Sequence, residues 1–144
     1  MGDPLSTAAS IISIIVPALH GTRVLLEDLQ GLKDAPRTIT RLTDDVHSVH
    51  AGLELLHGVK DMDWESLGKG VNDQSRATIS SCTQACDLFR ADLQKWTRHS
   101  EDGKLAWLDR ATVGFFKKEQ VKAMSDQLQI CKLDINSIVN IATL

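Results

Sequence analysis

The sequence predicts an all-α protein, an antiparallel four-helix bundle of long helices in one domain spanning residues 1–144. Three observations predict it. Apolar residues recur at alternating steps of three and four along four separate stretches, the seam of a helix packed nearly parallel or antiparallel to its neighbours. Only three prolines and nine glycines occur in 144 residues, which suits long helices better than many short strands. A hydrophobic share of 42% is enough for one real core, and nothing in the composition suggests disorder or a disulfide scaffold.

The first helix is predicted over residues 4–31. Its seam is Leu5, Ala8, Ile12, Ile15, Leu19, Thr22, Leu26 and Leu29, with Thr22 the one polar member. Asp3 is placed to cap it, and Pro4 suits the first helical position, where a missing N–H is harmless. Between Ile11 and Leu19 this helix is apolar nearly all round, so it is expected either to be a core helix central in the bundle or to turn Ile11, Ile14 and Val16, which lie off the seam, toward a second apolar surface. Pro17 removes a backbone donor and is expected to kink the helix. The apolar run is shorter than the ~20 residues of a membrane span. No basic segment precedes it, as one would in a secretory signal. Met1-Gly2-Asp3-Pro4-Leu5-Ser6 fits a myristoylation pattern formally, with an acid in a poor position directly after the glycine.

The second helix is predicted over 35–57, with Ile39, Leu42, Val46, Val49, Leu53 and Leu56 on its seam; Asp34 is the expected cap and Pro36 falls in the first turn. Residues 58–73 hold three glycines and read as loop, with Asn72 or Asp73 capping a third helix over 73–98. That helix carries Ile79, Cys82, Cys86, Phe89, Leu93 and Trp96; the fourth, over 117–143, carries Val121, Met124, Leu128, Cys131, Ile135, Ile138 and Ala142. The fourth pattern runs on to Leu144 with no glycine or proline stop, so the chain is expected to be the N-terminal part of a longer protein.

Charge and chemistry narrow the function. Sixteen Lys and Arg against nineteen Asp and Glu give a net charge of −3, which disfavours nucleic acid as a partner. Cys82, Cys86 and Cys131 read as reduced thiols, small apolar fillers of the core stripe in a cytoplasmic protein. His47, His50, Glu54 and His57 share one flank of the second helix, but one helix rarely supplies a full ligand set, and a solvated flank is the expected reading. Asp44-Asp45 reads as a solvated acidic pair that complements the helix dipole. No Gly-x-Ser-x-Gly, Walker A or Gly-x-Gly-x-x-Gly motif occurs. The expectation is therefore a protein with no enzymatic activity, no cofactor and no tightly bound metal.

Residues 104–122 stand out. Lys104, Arg110, Lys117, Lys118 and Lys122 outnumber Asp109 and Glu119, with Trp107, Phe115 and Phe116 among them. Basic residues mixed with aromatics suit anionic lipid headgroups. The alternative is that the aromatics plug the bundle end while the lysines stay solvated.

Several stretches carry a family resemblance. Met1-Gly2-Asp3-Pro4-Leu5-Ser6-Thr7-Ala8-Ala9-Ser10 resembles the opening of fungal N-terminal domains that precede the nucleotide-binding module of STAND (NOD-like receptor) proteins. Lys33-Asp34-Ala35-Pro36 and Ser81-Cys82-Thr83-Gln84-Ala85-Cys86-Asp87-Leu88-Phe89 resemble the same domains. So do Trp107-Leu108-Asp109-Arg110 and Val113-Gly114-Phe115-Phe116. The resemblance implies a HeLo-like bundle and a non-enzymatic signalling or effector role in programmed cell death or heterokaryon incompatibility. It implies action by self-association and membrane perturbation by a first helix released from the bundle, with downstream domains of the parent protein and anionic membrane lipids as further partners, and recruitment from the cytoplasm to the plasma membrane on activation. Ile11 to Leu19 lacks the glycines of the N-terminal zipper found in some membrane-active relatives. A helical adaptor that docks a protein partner without touching lipid is the alternative.

Overall fold

In the computed structural model of the chain, residues 4–32, 37–97 and 111–143 are described, with side chains for 11–32, 37–95 and 118–143. Five helices account for nearly all of them: α1 (Pro4–Gln30), α2 (Arg37–His57), α3 (Asp61–Ser66), α4 (Lys69–Thr97) and α5 (Ala111–Ala142). No strand occurs among the described residues. The four long helices pack in a ring, α1 on α2, α2 on α5, α5 on α4 and α4 on α1, and α3 leans on α1 and more lightly on α4.

The seams predicted for α2, α4 and α5 are buried where side chains are described: Leu42, Val49, Leu53, Phe89, Leu93, Leu128 and Ile135 are all at most 3% exposed. On α1 the phase is different. Ile11 is fully buried and Ile12 half-buried, the reverse of the expected order. The buried arc of α1 runs through Ile11, Ile15, Ala18, Thr22, Leu25, Leu26 and Leu29. Packing against α2 and α4 together centres that arc between the two neighbours. An arc of this width consumes more isoleucine than a single two-helix seam. The surplus of apolar residues on α1 therefore has a packing use, and Ile11 is a core residue rather than a surface contact. Pro4 opens the helix as expected, and α1 continues unbroken through Pro17.

Residues 58–73 are not one loop. Trp64 is fully buried and anchors the six-residue α3. Gly68, at φ +88°, takes the left-handed conformation that a side chain would resist, and α4 starts immediately after it. Asn72 is not a cap. It lies inside α4, 2% exposed, and its Nδ2 donates to the Trp64 carbonyl at 2.9 Å. The same contact that fixes Trp64 thus extends α4 by a turn beyond its predicted start. At the other end of the chain, α5 begins six residues before the predicted 117, at Ala111. The predicted caps Asp3 and Asp34 and the turn at Pro36 lie outside the described residues.

α2 and α5 meet at Gly52, and because Asp45 meets Gln129 while Gly52 meets Ile135 they run in the same direction, unlike the expected antiparallel neighbours. A Cβ added there would stand 2.5 Å from Cγ2 of Ile135, a branch held by its own helix. Gly52→Ala should therefore lower stability by about 1–3 kcal/mol in urea unfolding, the overpacking cost exceeding the ~1 kcal/mol helix-propensity gain. Adding Ile135→Ala, which removes Cγ2, should make the pair less costly than the sum of the single changes. Leu53→Asp, which puts an unpaired carboxylate into a fully buried position, should abolish the cooperative thermal transition, because the burial costs several kcal/mol.

Candidate interaction site

An open groove of about 390 Å³ lies between α1 and α4, lined by Ile14, Pro17, Ser80, Thr83, Gln84, Asp87 and Leu88. Beside it the helices come close: a Cβ added at Gly21 would lie 3.6 Å from Asp87 Oδ1. Further along, Arg90 Nε donates to Asp28 Oδ2 at 2.9 Å, pinning α4 to α1. The groove floor is mostly apolar, and Leu88 on its edge is 64% exposed. Val16, on the same turn of α1 as Pro17, is 52% exposed. Of the residues expected to meet a second surface, Ile14 lines the groove and Val16 is exposed outside its lining. Leu88 was not legible as part of it, because it sits off the α4 seam and only the α1–α4 packing gives it apolar company.

The other predicted contact residues are distributed as follows. Lys118 and Lys122 are exposed on α5. Phe115, Phe116 and Lys117 belong to the first turns of α5, with side chains outside the described residues, as are Lys104, Trp107 and Arg110 entirely.

The histidine flank of α2 is not simply solvated. His50 Nδ1 lies 2.6 Å from Thr22 Oγ1 on α1, and His50 Nε2 lies 2.9 Å from Glu54 Oε1. Hydroxyl, imidazole and carboxylate in series form the order of a hydrolase relay. The hydroxyl here cannot reach a substrate: Thr22 is 1% exposed, in mid-helix, with the carbonyls of Ala18 and Leu19 each 3.1 Å from its Oγ1. The arrangement is a polar strut between α1 and α2. His47 is exposed against Gln30. Among the described residues no three His, Cys, Asp or Glu side chains converge on a point where a metal could be held.

Asp45 also departs from its expected role. It is 5% exposed at the α2–α5 contact, and its Oδ1 accepts from Gln129 Nε2 at 3.0 Å. It is thus a buried acceptor rather than a solvated partner of Asp44. The three cysteines are buried, free thiols, as their place on the seams predicts. Burial pushes the Cys86 thiol up to about 12. A hydrogen bond to Cys131 holds the Cys82 thiol far above its usual range and, from the other side, lowers Cys131.

Thr22→Val keeps the branched shape of the side chain and removes only the strut. It should cost about 1–2 kcal/mol in chemical unfolding, because His50 loses a partner at a half-buried site. A Thr22→Val/His50→Ala double variant should lose less than the two single losses combined.

Two comparisons return nothing: no curated protein and no solved structure matches the chain. A family model does match, over residues 2–144; it describes the N-terminal region of the pigment biosynthesis cluster protein PigL.

Proposed function

Since the chain belongs to the PigL N-terminal family, we propose that it is a non-enzymatic signalling or effector domain that works by folded self-association, a bundle of four long helices of HeLo-like type. The resemblance to N-terminal domains of STAND proteins supplies the cell-death and incompatibility part of this reading; the family model is broader and speaks only for an N-terminal domain. The observation that carries self-association is the α1–α4 groove, where Ile14, Pro17 and the exposed Leu88 offer apolar surface with no side chain of the described chain over it. Contiguous exposed apolar surface, unlike singly scattered residues, is where protein contacts form.

Membrane perturbation by a released α1 is the less favoured form of this activity. No helix among the described residues is long and apolar enough to cross a membrane. Extracting α1 would expose Ile11, Ile15, Leu25, Leu26 and Leu29. At roughly 1.5–3 kcal/mol each that is on the order of 10 kcal/mol, comparable to the whole stability of a domain. An interface formed by the intact bundle carries no such cost.

Sedimentation velocity over a concentration series tests the reading. The wild-type chain should gain mass with concentration, and Leu88→Glu, an exposed position that leaves the core intact, should remain a monomer. A wild-type chain that stays monomeric throughout overturns self-association and favours the adaptor role. Leakage of anionic vesicles that Leu88→Glu leaves unchanged would favour the lipid route instead.

A further inference from the structure

The contact between α4 and α5 carries a feature that self-association does not use. Val71, Gln74, Ser75 and Thr78 of α4 line one small cavity with Asp134, Ser137, Ile138 and Ile141 of α5. Contacts elsewhere give the directions: α2 opposes α1 (Thr22 at His50, Gln30 at His47), α4 follows α1 (Asp87 at Gly21, Arg90 at Asp28) and α5 follows α2 (Gln129 at Asp45, Ile135 at Gly52), so α4 and α5 run in opposite directions. From that cavity, two turns forward along α4 reach Cys82 and two turns back along α5 reach Cys131. The register therefore sets these two thiols against each other. Both are at most 2% exposed, and both are free. Gln127 Nε2 stands 3.9 Å from the Cys131 sulfur, a further weak donor at that atom. Cys86 is one turn along α4, on the same stripe.

The geometry points to Cys82 and Cys131 as a redox pair that a small peroxide closes into a disulfide, locking α4 to α5 inside the folded bundle. Gln127 assigns the roles: its amide donates to the Cys131 sulfur, which is eased toward the thiolate and attacks first, while Cys82 resolves. The Cys131 sulfur attacks one oxygen of hydrogen peroxide; an S–O bond forms, the O–O bond breaks, and the departing hydroxide leaves as water. The Cys82 sulfur then attacks the sulfenic sulfur of Cys131. The S–S bond forms, the S–O bond breaks, and hydroxide takes up the Cys82 proton as a second water. Two thiols are oxidised and one peroxide is reduced to two waters. Burial restricts the oxidant to one of this size, and Cys86, a further turn along α4 and past the level of Cys131, takes no part.

The test uses the purified full chain treated with hydrogen peroxide and mapped as peptides without reduction. The expected product is a Cys82–Cys131 cross-link within one chain, present in wild type and in Cys86→Ala. It should raise the thermal midpoint by roughly 5–10 °C, reversed by dithiothreitol. Cys82→Ala should stop one step earlier, with Cys131 trapped by dimedone as the sulfenic acid, circular dichroism showing that the helices are intact. Wild-type protein that gives a Cys82–Cys86 link, an intermolecular link, or only over-oxidised Cys131 overturns the pairing. Because the first readout is on the wild type, a variant that fails to fold leaves the test standing.

Discussion

The structure depends on how α1 is held. One helix supplies a buried arc from Ile11 to Leu29 that faces α2 on one side and α4 on the other, and α3 adds a third contact. Apolar burial drives this, at roughly 25 cal/mol for each Å² removed from water. Two polar ties add direction to it: Thr22 to His50 toward α2, and Asp28 to Arg90 toward α4. Burial alone is non-directional, whereas the ties fix how α1 is rotated. The groove lies along the same α1–α4 contact, beside the close approach at Gly21 and Asp87.

Most of the fold was legible because it rests on periodicity. The helical class, the four long helices and the seams of α2, α4 and α5 follow from three-four spacing, a signal summed over many residues. The misses each come from a single interaction that spacing cannot carry. Ile11 and Ile12 exchanged roles because a helix between two neighbours buries a wider arc than a two-helix seam. α3 was hidden because its only strong anchor is one tryptophan, Trp64, in a glycine-containing stretch. Asp45 looked like half of a solvated pair, and only the meeting of α2 with Gln129 of α5 makes it an internal acceptor. His50 was grouped correctly with Glu54, but its second partner lies on another helix, in contact only after folding.

The candidate site was half legible for the same reason. Ile14 and Val16 were marked because apolar residues off a seam need an explanation. Leu88 and Pro17 became part of a surface only through the packing of α4 on α1. The basic and aromatic run from Lys104 to Lys122 was marked by composition, and of it only Lys118 and Lys122 have described side chains, both solvent-facing. The family to which the chain belongs agrees with an N-terminal domain and leaves its mode of action to the surface chemistry.

The six-residue α3 has a consequence for how this protein reports on itself. A helix so short is not stable alone, since nucleation is unfavourable and few bonds follow it. Its order is borrowed, through Trp64 and the Asn72 amide, from the helices on which it leans. It is therefore the element with the least reserve against local opening. Anything that shifts α1 relative to α4, whether a partner entering their groove or a strain transmitted along α4, is felt by the indole before the long helices lose a hydrogen bond. α3 thus acts as an internal gauge of the α1–α4 contact, with its amide protons the first to exchange when that contact loosens.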